Sequence, residues 1–551
     1  MKIGILHNYT LTGSGSGIYV RELARHLTSR GHEIHIISHE LKPQEYNLFR
    51  SAYAYQDNSV NKLFSQRDMP NCHSHSLTGK ITPVAYKRPD IPDGKLFIQL
   101  SNQEIDDYID FCSSTIIKIC QRHKLDILHA NHALLMPYIA SIIKSQQGIP
   151  YVVTIHGSTI EYVLKQDKRY HDYVRNGLRD ADKIIGLNSD VVSRILEMNP
   201  DSHSAIIEIS NGVDIESFAP VDIAERKNAI KHIISDLRVL KGEGKSQASC
   251  DRIKSSFERG FDSEKIVTEF TRIRASYAGN RPDINLDEKL DAIRWEKEKV
   301  VLYSGSLRFD KGIHCLIAAI PYISATHSDC RFIIAGDGDD REYMEAAIWA
   351  LDRGDIDLFQ RILYLAIVEL RSGGSEVYQY IPSFLRNQDL ETYYDMARGN
   401  VRDKVIFTGY LSRRCLSRLL GCVTVNIIPS IVKEAFPLTF IESLSCGVLP
   451  VASYYAGLIP PLDKLATDLG DIGKLCMINH APEFMICDLA SNIAAILSQL
   501  EDTVYAEQIK QLCREMAELE YRWDRVASLT EEVYSTCHSS EITSALTERS
   551  R

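Results

Sequence analysis

Among the 551 residues there is no C-x-x-C pair and no apolar run approaching the roughly 20 residues that cross a bilayer. The thirteen cysteines are an odd number, scattered through apolar segments at Cys112, Cys120, Cys315, Cys422 and Cys446, and read as reduced core residues rather than a disulfide framework. The group Cys72, His73, His75 in PNCHSHS has no second ligand pair at a suitable spacing, so it reads as an exposed polar loop and no metal is expected. A net charge of -10 offers no basic surface for nucleic acid. The opening MKIGILHNYT reads as a strand and not as a leader, so a cytoplasmic protein without a transmembrane segment is expected; peripheral membrane contact stays open.

What is present is an ordinary globular composition, 44% hydrophobic and 25% charged, in a chain too long for one core. Two domains of roughly 200 residues plus extra pieces are expected. Residues 430–453, SIVKEAFPLTFIESLSCGVLPVAS, organise the rest. They follow the β-branched run CVTVNII and close on VLPVA, with an apolar-periodic helix between, so they form a strand-loop-helix-strand unit. Pro437 suits a first helical turn and Gly447 the left-handed residue that stops it. Glu434 then lies in the loop and Glu442 inside the helix, beside free N–H groups that favour an anion such as a diphosphate. Taken alone, two acids eight apart more often mark a solvated surface helix.

Glu434 to Glu442, with Phe436 between them and SCGVLPVAS after, resembles the E-x7-E motif of retaining glycosyltransferases of the GT-B fold, the family of glycogen and sucrose synthases. Pro437 stands where many members have glycine. The resemblance implies an α/β chain of two Rossmann-like parallel-sheet domains facing a cleft. It also implies that Glu434 faces the donor sugar and Glu442 the nucleotide ribose, with Phe436, Pro437 and Leu438 beside the donor.

Further segments extend the resemblance in the same order. A first β-α-β unit has strands over 2–7 and 33–38 and a helix over 18–29, and its loop LTGSGSG carries Gly13, Gly15 and Gly17, which permit close approach to a ligand. A nicotinamide oxidoreductase is the rival for this loop, with Glu40 as the ribose acid, but the third glycine of G-x-G-x-x-G falls on Ile18 and the loop is too long. Residues 41–95 dissolve into polar, Tyr-bearing sequence and read as an acceptor-side loop. Regular alternation resumes with strands LFIQL, DILHA and YVVTI, and the last ends at His156-Gly157-Ser158, which resembles the family's H-G element beside the reacting carbon. NGVD at 211–214 resembles the turn that ends the N-terminal domain. VVLYSG begins the second half, and SGSLRFDKG resembles the family's G-R-L-x-x-x-K-G, with Lys311 in place and Ser306 where the phosphate-binding arginine would be. Arg308 is two residues along, a shift of roughly 7 Å. Asp337-Gly338-Asp339 looks superficially like a D-x-D metal clamp, but AGDG after a strand resembles a structural and nucleotide-edge turn of the family, and no metal is expected.

The implied organisation is an acceptor domain over 1–218, a helical insertion over 219–298, and a nucleotide-sugar domain over 299–520 with a second insertion over 342–400. Residues 521–551 supply a terminal helix returning to the first domain plus a tail. The implied activity is transfer of a sugar, a hexose in expectation, from a nucleotide-diphosphate sugar to an unidentified acceptor with retained configuration, in carbohydrate biosynthesis and without a cofactor. His156, Lys311 and Glu434 are the candidate catalytic residues; Gly15, Gly17, Ser306, Arg308, Lys311, Phe436, Pro437, Leu438 and Glu442 are the candidate donor contacts. The departure at Ser306 keeps open a non-catalytic nucleotide-sugar binding protein.

Overall fold

Segments such as KIGIL, EIHIIS and YVVTI are buried along nearly their whole length, as strands of a parallel sheet covered on both faces must be. The computed structural model describes all residues except 13, 57–58, 80, 87–90, 92, 240–242, 258–259, 371–373 and 550–551, and only the backbone at 201, 204 and 538–549. Gly13 therefore lies outside the described residues. The chain divides into a first unit, Met1–Gly212 with Lys433–Leu438 and Tyr521–Arg551, and a second, Val213–Val432 with Thr439–Glu520.

The sheet of the first unit runs, edge to edge, Ile206–Glu208, Lys183–Gly186, Tyr151–Ile155, Ile127–Asn131, Lys2–Leu6, Glu33–Ser38, Cys72–Leu77, Ser51–Gln56 and Ser59–Ser65. Only the last pair is antiparallel. Strand order reverses beside Lys2–Leu6, where an open α/β sheet leaves a crevice beyond its carboxyl ends. The helix Trp523–Arg549 completes this unit: Trp523, Val526, Ala527 and Tyr534 share one core with Ile3, Val20, Leu23 and Ile34. Gly212 has no room for a side chain because the indole of Trp523 lies against it.

Three expectations for this half are corrected. Residues 41–95 are not a long irregular loop, since Ser51–Gln56, Ser59–Ser65 and Cys72–Leu77 extend the sheet. PNCHSHS is not an exposed loop: Cys72 and His75 are buried, and Cys72–Leu77 pairs with Glu33–Ser38 and Ser51–Gln56. The run LFIQL is not a strand; after Lys95–Leu96 it turns through a 3-10 segment, Phe97–Gln99, because the Ser101–Glu104 capping box starts the helix Asn102–His123 immediately afterwards. The first helix also begins earlier than expected, at Gly15, because the Ser14 side chain accepts from Gly17 N and caps it.

The second unit has a wholly parallel sheet in the order Val405–Gly409, Cys330–Ala335, Lys299–Ser304, Val425–Ile428, Leu449–Ser453 and Met477–Ile478. Its order reverses between Lys299–Ser304 and Val425–Ile428. Helices Arg226–Val239, Gln247–Ser255, Ser263–Ala275 and Leu286–Asp291 precede the first strand. They are fastened by buried charges: Lys245 Nζ donates to Glu342 at 2.8 Å and Glu345 at 3.1 Å, and Arg341 Nη2 to Asp283 at 2.6 Å. Arg274 pairs with both oxygens of Asp337 in the AGDG turn. A second helical group, including Ile356–Tyr364, Tyr380–Leu385 and Leu390–Ala397, follows the helix Arg341–Asp352.

Candidate functional site

In the first unit, three loops leave the carboxyl ends of adjacent strands. Asn8 Nδ2 donates to Leu134 O at 3.3 Å, joining residues 7–14 to residues 131–135. His132 and Leu135 hold φ of 72° and 57°, a left-handed backbone that bulky residues rarely adopt and that clusters at functional sites. His156 follows Tyr151–Ile155 and packs against His132 and Tyr19, each with ring centroids 4.9 Å apart. Its Nε2 lies 2.8 Å from Asn131 Oδ1, and Asn131 Nδ2 donates to Leu6 O at 3.3 Å. The amide is thereby oriented with its oxygen toward the ring, so Nε2 carries the proton and Nδ1 is an acceptor. Though one edge remains exposed, the surrounding protein pushes the His156 pKa down to about 3, and the ring is neutral.

Residues 433–438, which carry Glu434, Phe436, Pro437 and Leu438, cluster with this unit and are held by their backbone. Asn188 Nδ2 donates to Ala435 O at 2.6 Å, Arg194 Nη2 to Glu434 O at 2.9 Å, and Asn211 Nδ2 to Phe436 O at 3.0 Å. Gly157, at φ 78°, has Ala435 where its side chain would stand, and Gly15 faces Leu438. Gly17 has a different use: a Cβ there would lie 2.8 Å from Thr10 O, so its missing side chain makes room for the loop itself. Glu40 is also engaged, accepting from Leu11 N, Lys42 N and Tyr46 OH, which leaves the acid that a dinucleotide would need already committed.

In the second unit the Lys311 loop and the loop after Val425–Ile428 meet at the reversal point. Ile431 N and Val432 N donate to Asp310 O at 3.0 and 3.2 Å, and Gly312, at φ 74°, lets Pro429 O approach where a side chain would clash. Lys311 ends a short 3-10 turn, Phe309–Lys311, and is partly exposed. Ser306 is exposed, while Arg308 pairs with Asp310. Glu442 is buried in the helix Leu438–Ser445 and pairs with Arg413 at 2.7 Å. Asp337, in the Asp337-Gly338-Asp339 turn, is taken by Arg274.

The candidates thus fall into two groups. Gly15, Gly17, His156, Glu434, Phe436, Pro437 and Leu438 belong to the first unit, and Ser306, Arg308, Lys311 and Glu442 to the second. Asn131, His132, Asn188 and Arg194 were not singled out from the sequence, and Asn211 was noted only as part of the NGVD turn. Asn131 and Asn188 carry no more signal than a polar residue at or just after the end of an apolar strand, as in DILHAN and KIIGLN, and Arg194 lies within the helix Ser189–Met198.

Rossmann-like parallel sheets with polar loops at each reversal of strand order define a class of α/β proteins that bind ligands beyond their strand ends. Glycosyltransferase Family 4 matches residues 13–217, and Glycosyl transferases group 1 matches residues 287–362 and 388–460. N-acetyl-alpha-D-glucosaminyl L-malate synthase of Bacillus anthracis is 23% identical over 536 residues, covering 97% of this chain and 96% of that protein. An uncharacterized glycosyltransferase of Methanocaldococcus jannaschii is 25% identical over 272 residues; the match spans 48% of this chain and about half, 54%, of that relative's length. Among solved structures, sucrose-phosphate synthase from Thermosynechococcus elongatus aligns with a TM-score of 0.58 at 15% identity, covering 98% of this chain and 100% of the other. Anabaena HepE in complex with UDP aligns at 0.54 and 14%, covering 97% and 100%. The chain belongs to the GT-B glycosyltransferases of the glycogen and sucrose synthase type.

Proposed function

We propose that this protein moves a sugar, a hexose in the simplest reading, from a nucleotide-diphosphate donor to an acceptor hydroxyl with retention of anomeric configuration, and that it works in the cytoplasm without a cofactor. The observation that carries this reading is the pinning of the Lys311 loop to the strand end that leads into the 434–442 motif, through Asp310 O. That pinning fixes the backbone of the Lys311 loop at the reversal point of the second sheet, where the lysine ammonium can neutralise part of the charge on a leaving diphosphate. HepE, solved with UDP, and the malate synthase, named for an N-acetylglucosaminyl group, support a nucleotide-sugar donor.

Each side chain then has a task. Glu434 orients the sugar hydroxyls, and neutral His156 accepts a hydrogen bond from a hydroxyl at Nδ1, without taking its proton. Glu442 has oxygen lone pairs enough to hold both Arg413 and a ribose hydroxyl. The departing phosphate takes the acceptor proton, so no side-chain base is nominated. Ser306 favours the second reading, a protein that binds the nucleotide sugar without turnover.

The test is calorimetry with a panel of nucleotides, then product analysis by mass spectrometry and by NMR of the new anomeric centre. Glu442→Ala should weaken nucleotide binding by about 1.5–3 kcal/mol, as for a charged hydrogen bond. Glu434→Ala should spare binding and lose turnover. Lys311→Ala should depress turnover at least about tenfold, equivalent to roughly 1.4 kcal/mol. A folded wild type that binds nucleotide, turns over no donor and gains activity with Ser306→Arg would establish the second reading instead.

A further inference from the structure

Around the strand Cys72–Leu77, inside the sheet of the first unit, lies a group of side chains that the transferase reading leaves unused. His35 comes from Glu33–Ser38, His75 from the neighbouring strand, and His123 ends the helix Asn102–His123. One nitrogen from each lies within 4.8 Å of the other two. His35 Nδ1 and His75 Nε2 are 2.9 Å apart, and His123 Nε2 is buried with no hydrogen-bond partner among the described residues. A buried imidazole nitrogen left without a partner needs an explanation, and a bound cation supplies one.

From this geometry we infer that His35, His75 and His123 form a binding site for one divalent transition-metal ion of the zinc class, fastening the end of a helix to two strands of the first unit.

The second partners of the rings are those such a site requires. His35 Nε2 lies 3.0 Å from Glu33 Oε1; the carboxylate accepts, so the proton is on Nε2 and Nδ1 is the free ligand atom. Without metal, His75 Nε2 donates to that Nδ1, and His75 Nδ1 accepts from Tyr55 OH at 2.9 Å. On binding, the His75 proton shifts to Nδ1, whose N–H then donates to the tyrosine oxygen. Nε2 turns to the metal, and the count of ring protons does not change. The carboxyl end of the helix Asn102–His123 presents the negative pole of its dipole, and Glu33 adds a carboxylate. Lys2 and Arg122 stand nearby with opposing charge, Lys2 ion-paired with Glu33 at 3.6 Å and Arg122 over the Tyr53 ring. An ion about 2.1 Å from each nitrogen needs them about 3.4 Å apart, so capture spreads one pair and draws the third ring inward. Imidazole donors suit zinc, nickel, cobalt and copper. The ligands are 35, 75 and 123 in sequence, with no short spacing between any two, which is why PNCHSHS shows no metal pattern by itself.

The experiment uses the whole chain without a polyhistidine tag, stripped by chelator and titrated with Co2+. One equivalent should produce the visible d–d bands of a four- or five-coordinate site, displaced by Zn2+, and Zn2+ should raise the Tm. His123→Asn, at a partly exposed position that should not impair folding, should abolish the bands. Glu33→Gln, which removes only the outer partner of His35, should weaken binding about 10–100-fold. His73→Asn should leave the bands intact. A wild type with no stoichiometric Co2+ bands overturns the proposal, as does a folded His123→Asn that binds like wild type. Loss of the bands in His73→Asn but not in His123→Asn overturns it too, assigning the ion instead to Glu33, His35 and His73, which also lie within reach of one another.

Discussion

The two units bury polar side chains in opposite ways. In the first they are largely neutral imidazoles: His39 is held by Leu77 O and Tyr108 OH, and His129 by Tyr534 OH and Thr154 Oγ1, with burial keeping their pKa values near about 4 and about 3. In the second they are full charges, with Lys245, Arg274 and Arg341 set against Asp283, Asp337, Glu342 and Glu345. A neutral ring can lose a partner at the cost of one hydrogen bond. A buried ion cannot, because what remains is an uncompensated charge in low dielectric. The segment before Lys299–Ser304 is therefore not a detachable decoration, since it supplies Lys245, Arg274 and Asp283 to the buried charges of Glu342, Asp337 and Arg341.

The largest effect expected from this difference follows removal of residues 226–291 in favour of a short linker. Glu342 would lose Lys245, Asp337 would lose Arg274 and Arg341 would lose Asp283 at one stroke, and the protein should be recovered insoluble or without a cooperative melt. A soluble variant with a native circular-dichroism melt would show that the ion network is dispensable. Next in size, Lys245→Met should lower unfolding free energy by about 3–5 kcal/mol in urea titrations, and Lys245→Met with Glu345→Met should recover part of it. His129→Phe, which strands only a hydroxyl of Tyr534 and one of Thr154, should cost less, about 1–3 kcal/mol. If His129→Phe proves the more damaging of the two single variants, the contrast between neutral and charged interiors fails.

Smallest near neutrality, and most discriminating, is the response to acid. An unfolded histidine takes up a proton near pH 6.5, whereas His39, His129 and His156 do so in the native state only near about 4, 3 and 3. Below pH 6.5 the unfolded chain thus binds more protons, and the stability of the first unit should fall steadily toward pH 4. Glu345 is held down to about 2 from an ordinary 4.5 by Lys245 and Arg341, so its contribution is complete above pH 4.5 and lost below it. Asp337 works in the opposite sense, because burial outweighs Arg274 and lifts its pKa. Hydrogen exchange followed by mass spectrometry at pH 7, 5.5 and 4.5 should show protection falling first in residues 1–212. Simultaneous loss in both units would contradict the assignment.

The same chemistry governs how much could be read without coordinates. Strands rich in Ile, Val and Leu were legible, as were the Lys311 loop and the 434–442 motif, because an apolar run or a fixed spacing marks each of them. Ser51–Gln56 and Cys72–Leu77 were not, being SAYAYQ and CHSHSL: their buried residues include Ser, Ala, Tyr and His, with Ser51 bonded to His73 and Tyr55 to His75 across the sheet, and no hydrophobic alternation announces them. LFIQL misled for the converse reason, since five largely apolar residues fill a turn whose course is set by the cap of the next helix. Asn188, Arg194 and Asn211 grip backbone oxygens more than 200 positions away in sequence, a relation that no local pattern encodes.

The helix that begins at Trp523 has a consequence for how the protein is made. Val526, Tyr534 and their neighbours fill the core around Ile3 and Ile34, yet they leave the ribosome only after the whole second unit has been synthesised. At about 5–20 residues per second, the 310 residues between Gly212 and Trp523 keep the first unit waiting for roughly 15–60 seconds with its helix Gly15–Ser29 uncovered. The second unit can close as it emerges, whereas the first, although translated earlier, is finished last. A nascent chain in that interval exposes the surface of Val20 and Leu23 that the final helix later covers, and this is the surface a chaperone would meet.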